Sequence, residues 1–425
     1  MVAFASLFLG LFFGVKPVEV VVGDGVAAVE LRLDGERLGM LRGAPWSMEC
    51  DFGADLEPQH LEAIAFDAEN RELGRVSQWL NLPKEPVVAS VALEPRKPGE
   101  PRVVRLSWES SAGAEPKSVT ATLDGVPLTF DDPRRITLPE VDESQLHLLQ
   151  FELEFDKRTS SRVDFTFGGV YVDEVSTEIT ALAIQATRRI KRPPTVAAAG
   201  EWFLKDGEPL RVIAVEKETA EIVVVLDRPF PRFIGPGEPY KVPKSLGLSG
   251  DQRLRFLSTV PRQSEGVAAT FSLFPVSPAY DGGLGDLYRL LTGISFRNEE
   301  DAVPRLNSAV AVGGLTAYRG RHRRAVVIIP RAKPVPDDSL TPAQARRYLE
   351  HLRVPLVVWN PESKRAPGLD AWGEVRDVGT LKELAAAFEA LSEVLAEQWI
   401  VWLDGQHLPQ EIELAAAARD FALLR

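Results

Sequence analysis

Asp227 is the residue of this chain best placed to do chemistry. It closes the run Glu221-Ile-Val-Val-Val-Leu226, which is apolar, mostly β-branched and reads as a buried strand. A group just beyond the carboxyl end of a central strand of an open α/β sheet sits at the binding crevice. A carboxylate there could hold a cation or move a proton. The residues that follow are Arg228-Pro229-Phe230-Pro231-Arg232-Phe233. Prolines carry no side-chain oxygen and no N–H, so the loop suits neither metal binding nor catalysis. Asp227 then reads as a turn cap, or as the ion-pair partner of Arg228 or Arg331.

Other groups of reactive residue types are sparser. Asp173, Glu174 and Glu178 lie on the alternating segment Val170-Tyr-Val-Asp-Glu-Val-Ser-Thr-Glu-Ile-Thr180. They could form a cation site or the carboxylate site of a hydrolase, but a strand's wet face carries such charges without either role. The five histidines, His60, His147, His322, His351 and His407, are scattered, with no His-Glu-x-x-His pair for zinc. Arg319-Gly-Arg-His-Arg-Arg324 is basic, and at the end of a helix it complements the helix dipole. Gly282-Gly-Leu-Gly285 lacks the Lys-Ser/Thr of a phosphate loop, and no Gly-x-Ser-x-Gly elbow occurs. Cys50 is the single cysteine, which excludes an internal disulfide and a multi-cysteine metal site. A net charge of −12 argues against nucleic acid or an anionic membrane surface as a general partner.

The elements that would position these residues come in two styles. The 425 residues suggest several domains. Residues 1–16 read as a secretory signal or anchor segment, from the apolar stretch Met1–Gly14, although a basic start and an Ala-x-Ala site are missing. The competing reading is a buried first strand or helix. Residues 17–85 alternate in short strands (around Val18, Ala28–Leu33, Leu61–Phe66 and Arg75–Trp79), with Trp46 and Phe52 expected in the core. Residues 86–187 repeat the plan with Arg102–Trp108, Ser118–Leu123 and Leu146–Phe155. Asp34-Gly35 and Asp124-Gly125 stand at matching hairpins and predict type I′ turns. Two tandem immunoglobulin-like β-sandwiches follow from that rhythm. Residues 188–214 form a linker and hairpin.

From 215 to 425 strands alternate with helices, which predicts an α/β doubly wound domain, Rossmann-type, with a mostly parallel sheet. The expected strands are Glu221–Leu226, Val267–Phe274, Ala325–Ile329, Val354–Trp359 and Trp399–Leu403. The expected helices cover Asp301–Tyr318, the segment after Thr341-Pro342, the segment after Thr380, and Leu408–Leu424.

This order resembles the von Willebrand factor type A (VWA) family, in particular its exported bacterial relatives with β modules upstream. The likeness is carried by Val223-Val-Val-Leu-Asp227, by Arg323-Arg-Ala-Val-Val-Ile-Ile329 and by Val354-Pro-Leu-Val-Val-Trp359, within residues 215–425. The resemblance implies a metal-ion-dependent adhesion site with an Asp-x-Ser-x-Ser loop, a threonine and a further aspartate, holding Mg²⁺ or Mn²⁺. Asp227 matches the leading aspartate, while Pro229 and Pro231 stand where the serines belong. Pro330-Arg331 stands where the second aspartate is expected. Asp337 and Asp338 come late, and Thr292 and Thr316 are candidates for the threonine. The site therefore reads as degenerate. The expectation is a non-enzymatic exported protein without cofactor that binds another protein, with Asp227, Arg228 and Arg331 lining the crevice. Membrane contact would come through the N-terminal segment alone. The alternatives are metal-dependent adhesion through Asp227 with Asp337 or Asp338, and a carboxylate hydrolase.

Overall fold

The computed structural model describes the chain apart from residues 1, 5–10, 24, 83–86, 94–100, 111–114, 143–144, 156–159, 169–178, 189, 191–192, 235–242, 262–273, 283–284, 295, 297–302, 332–339, 363 and 425. It is a multidomain chain with two antiparallel β-sandwiches at its N-terminal side. In the first, strands Val2–Phe4, Val15–Val22 and Ser47–Asp51 face a second sheet of Glu36–Leu41, Ala28–Leu33, Gln59–Phe66 and Glu72–Leu80. Alternation places Val18, Val20, Val29, Leu31, Leu61 and Ala63 between the sheets. Phe52 is buried there and Trp46 packs half-buried against it, as the sequence predicts.

The second sandwich sets Val87–Leu93, Val103–Ser110 and Arg135–Thr137 against Val126–Pro127, Ser118–Leu123, Leu146–Glu154 and Ser160–Gly168. Asp34-Gly35 and Asp124-Gly125 both have positive φ at each residue (50° and 80°, 51° and 80°), the geometry of a type I′ turn. An L-residue with a Cβ resists this region, so Gly35→Ala should cost about 1–2 kcal/mol. A shift in the urea midpoint at constant m checks this.

Val2–Phe4 is a strand antiparallel to Val20–Val22. No helix among the described residues is long and apolar enough to cross a membrane.

The α/β part is built on β1 (Ala220–Leu226), β2 (Gln252–Ser258), β3 (Tyr280–Asp281), β4 (Arg323–Ile329), β5 (Leu356–Asn360) and β6 (Val375–Asp377). They lie in the order β3-β2-β1-β4-β5-β6, parallel except for the edge strand β3. Every residue of β1 is buried. Ile222, Val224 and Leu226 face one side, with α1 (Leu287–Gly293) and α4 (Leu381–Ala396). Val223 and Val225 face the other, with α2 (Leu306–Arg319) and α3 (Pro342–His351). A strand between two covered faces must be apolar throughout, which is why β1 shows no alternation.

The expected caps form. Thr341 makes a capping box with Gln344 ahead of Pro342, and Thr380 accepts from the Glu383 N–H. Leu384, Phe388, Leu391 and Leu395 are buried.

Several sequence expectations are corrected. The helix expected over Asp301–Tyr318 begins at Leu306; Pro304 and Arg305 precede it, and Val303 is exposed instead of sharing the buried face. The helix expected over Leu408–Leu424 does not form. That segment holds the 3-10 turn Pro409–Glu411, the strand Glu413–Leu414, the 3-10 turn Ala416–Ala418 and the strand Phe421–Leu423. Its strands pair with Phe203–Lys205 and Ile179–Ala186, so sheet pairing overrides the alanine-rich helix propensity. The strand containing Trp399–Leu403, Gln398–Asp404, leaves the parallel sheet. It runs antiparallel between Ile179–Ala186 and Val212–Glu216, joining residues the sequence assigns to the second sandwich, the linker hairpin and the last helix-strand unit. Val267–Phe274 falls almost wholly outside the described residues.

Candidate functional site

The β1–β2–β4 register decides what meets Asp227. Leu226 pairs with Ser258 on one side and Ile329 on the other. The residue just past β2 is Thr259, and Arg331 lies two beyond β4. All three therefore converge at the carboxyl ends of the central strands.

The Asp227 side chain is 3 % exposed and Arg331 31 %. Thr259 Oγ1 donates to Asp227 Oδ1 at 2.9 Å. Arg331 donates to Oδ2 from Nε at 3.0 Å and from its backbone N–H at 3.2 Å. Its Nη2 also donates to the Asp227 carbonyl oxygen at 2.8 Å. The Asp227 N–H donates to the Ile329 oxygen at 3.1 Å. Beside this cluster Arg228 forms an ion pair with Glu362, which follows β5. Of the two ion-pair partners the sequence offers Asp227, the structure pairs it with Arg331, while Arg228 turns to Glu362.

The donor set does not fit Mg²⁺ or Mn²⁺. Such an ion needs about six oxygens in octahedral array. Here one carboxylate oxygen is already engaged by Thr259 and the other by a guanidinium, whose positive charge repels a cation. Pro229 and Pro231 bring no hydroxyl. Thr292 donates to the Tyr288 oxygen within α1, and Thr316 to the Val312 oxygen within α2, so both expected threonines satisfy their own helices. Sequence reasoning missed Thr259, which only the parallel register of β2 on β1 sets beside Asp227. Asp337, Asp338, Asp173, Glu174 and Glu178 lie outside the described residues. Among the described residues no group of three or more His, Cys, Asp or Glu side chains could hold a metal ion.

The opposite end of the sheet carries a second polar cluster, in a cavity of about 560 Å³ lined by Thr120, Gln150, Arg162, Glu216, Glu218 and His322, among others. Arg162 bridges Asp164 (3.1 Å) and Glu218 (3.3 Å), and lies 4.7 Å over the Trp402 ring. Arg321 also pairs with Asp164, which is fully shielded from solvent. Trp402 Nε1 donates to Glu216 Oε2 at 2.9 Å, and Glu218 lines the same cavity. Burial, then the charge of Glu218, pushes the Glu216 carboxyl up to about 7. Glu218 is lowered despite its burial, by hydrogen bonding to His322 and the charge of Arg162.

The Arg319–Arg324 run joins this end. Arg323 donates to the Leu395 oxygen at 3.0 Å and pairs with Asp251 at 2.6 Å. Arg324, fully buried, donates to the Tyr318 oxygen at the end of α2 and to the Ala181 oxygen. The dipole role expected of the run holds for Arg324. The structure adds a docking role, since Arg321 and Arg324 reach the second sandwich and the antiparallel sheet.

No protein-family model and no curated protein matches this chain. Among solved structures it is similar to the fibronectin(III)-like modules of Clostridium thermocellum CbhA, at 21 % identity over 19 % of this chain and 93 % of that one, TM-score 0.17. A central fibronectin-III array of RIM-binding protein shares 9 % identity over 46 % of this chain and 80 % of its own, TM-score 0.20. A family 2 glycoside hydrolase, a β-glucuronidase, shares 10 % identity over 50 % and 31 %, TM-score 0.19. At these TM-scores the likenesses carry no argument about this chain.

Proposed function

We propose that this is a non-enzymatic, exported protein that binds another protein through immunoglobulin-like sandwiches and a degenerate VWA-like unit. The observation that carries the reading is the Asp227 carboxylate, held by Thr259 and by the Arg331 guanidinium where an adhesion-site cation would sit. The strand order β3-β2-β1-β4-β5-β6 with an antiparallel edge supports the VWA-like assignment. Arginine in place of a metal makes the crevice a direct acceptor of carboxylate groups, since a guanidinium binds carboxylates in bidentate fashion.

Calorimetric titration with Mg²⁺ or Mn²⁺ should give no saturable heat, for wild type and Asp227→Ala alike. Arg228→Glu should weaken capture of the binding partner and also lower the melting temperature slightly, because it sets a second carboxylate against the partly exposed Glu362; Arg228→Ala should weaken capture with the smaller thermal effect. A saturable metal heat abolished by Asp227→Ala would replace this reading with metal-dependent adhesion.

A further inference from the structure

We propose that the second sandwich carries a proton-operated clamp: His147, as an imidazolium, holds the Asp124 carboxylate on one side and the Asp142 carbonyl on the other, and on losing a proton it releases Asp142. The geometry supplies the reason. His147 Nδ1 lies 2.7 Å from Asp124 Oδ2, and Nε2 lies 2.9 Å from the Asp142 carbonyl oxygen. An ionised carboxylate and a carbonyl only accept hydrogen bonds. A neutral imidazole has one N–H and can serve one of them, whereas the imidazolium donates to both. The residue is 8 % exposed, so little water reaches the ring to replace a lost partner.

The three groups come from separate parts of the sandwich. His147 is the second residue of Leu146–Glu154, Asp124 opens the hairpin turn after Ser118–Leu123, and Asp142 lies on the stretch between Arg135–Thr137 and Leu146–Glu154. Asp124 is tied to the strand twice more. Its Oδ1 accepts the Leu148 N–H at 2.8 Å, and its own N–H donates to the Leu148 oxygen at 2.8 Å. The Asp142 oxygen also accepts the Gln145 N–H at 2.9 Å, and Gln145 Nε2 donates to Asp142 Oδ2 at 3.0 Å. Among the described residues, the charged groups acting on the ring are these two aspartates. From Ser160–Gly168 the ring meets Phe167, with centroids 5.3 Å apart, and Arg102 lies 5.8 Å from the centroid of that phenylalanine.

The carboxylate is the stronger acceptor. A neutral His147 therefore keeps its proton on Nδ1 and turns the Nε2 lone pair toward the Asp142 oxygen. That contact is repulsive, and Asp142 yields because Asp124 is fastened to Leu148. Asp124 also lines the cavity of about 560 Å³, so loss of the His147 charge makes that cavity more negative. The sign follows from the direction of the shift. Burial opposes the charge on His147, but the Asp124 hydrogen bond and the Asp142 carbonyl outweigh it and raise the ring above its ordinary 6.5. The clamp thus contributes in full below 6.5 and is lost as pH rises through the folded-state value.

Nitrogen-15 NMR of the full chain labelled at histidine tests this. The His147 ring signals, identified by their absence in His147→Gln, should show a proton on both nitrogens below the midpoint and on Nδ1 alone above it, with the midpoint above 6.5. Amide exchange corrected for intrinsic rates should speed up at the Gln145 N–H in step with this titration, by up to about tenfold per pH unit, while the Leu148 N–H keeps its protection. In His147→Gln the Gln145 rate should be flat with pH. The wild-type profile persisting there would overturn the clamp, because another group would then be titrating. Should His147→Gln fail to fold, Asp124→Asn gives an independent reading at a side chain that is 47 % exposed. It removes the carboxylate, so the midpoint should fall, and the signals that move identify the ring. A midpoint that Asp124→Asn leaves unmoved, a wild-type midpoint at or below 6.5, or Gln145 exchange that ignores pH each overturns the proposal.

Discussion

Replacing Arg331 by alanine should destabilise the protein by about 3 kcal/mol, at the low end for breaking a buried pair because the guanidinium is partly exposed. The carboxylate of Asp227 is almost wholly shielded. Truncation removes its counter-charge and the Nε hydrogen bond, leaving the Thr259 hydroxyl and the residue 331 backbone N–H. It also strips the Asp227 carbonyl oxygen of Nη2. Arg331→Lys should recover only part of the loss, since an ammonium cannot donate in the same fork to the carboxylate and the carbonyl. The double variant Asp227→Ala, Arg331→Ala should be more stable than the sum of the singles predicts, by roughly 1–3 kcal/mol of coupling. Urea unfolding of the four proteins measures this. Additive effects would show that Asp227 and Arg331 do not act as a pair, and would remove the main support for the metal-free reading of the crevice.

Asn81→Ala should cost about 4 kcal/mol, adding three partly buried hydrogen bonds at roughly 1 kcal/mol each to the strain of an alanine at positive φ. Asn81 is 4 % exposed with φ 56°. Its Oδ1 accepts from the Phe12 N–H at 2.7 Å, and its Nδ2 donates to the Phe12 and Glu57 oxygens at 2.7 and 2.5 Å. Its own carbonyl accepts from the buried Tyr348 hydroxyl of α3 at 2.6 Å. The residue therefore ties the first sandwich to the α/β unit, where Leu56 and Leu82 pack with the α3 side of the sheet. Asn81→Gly should recover the part due to φ. Tyr348→Phe, which breaks the inter-unit bond alone, should cost about 1 kcal/mol. In calorimetry Asn81→Ala should separate the first sandwich into its own, earlier transition. A single unshifted transition would mean that the sandwich is held by its other contacts, among them Arg347 with Asp55 and Gln344 with the Ala54 oxygen.

Glu216 was not legible in the sequence as a functional residue. The residues just before it read only as part of a linker hairpin. Its carboxyl is raised by burial and by the charge of Glu218, against the opposing Trp402 N–H, 186 residues away, and Arg162 of the sandwich. Thr259 was hidden for the same reason, because parallel register alone sets it beside Asp227. The segment from Leu408 was misread as a helix because its alanines favour one locally, while its strand partners lie more than two hundred residues earlier in the chain.

What the sequence by itself determined is the local part. Asp-Gly pairs impose positive φ and tight hairpins. Thr341 and Thr380 start their helices by satisfying free N–H groups. The unbroken apolar run before Asp227 demands a strand covered on both faces. Sequence also settled that Pro229 and Pro231 bring no hydroxyl to Asp227. The tertiary structure decided which charges meet. It matched Asp227 with Arg331, drew Gln398–Asp404 out of the parallel sheet into an antiparallel one, and brought the Trp402 N–H to Glu216. Turns and caps depend on neighbours a few residues apart, whereas ion pairs and the ionisation of buried carboxyls depend on sheet register and on burial, which exist only once distant segments have packed.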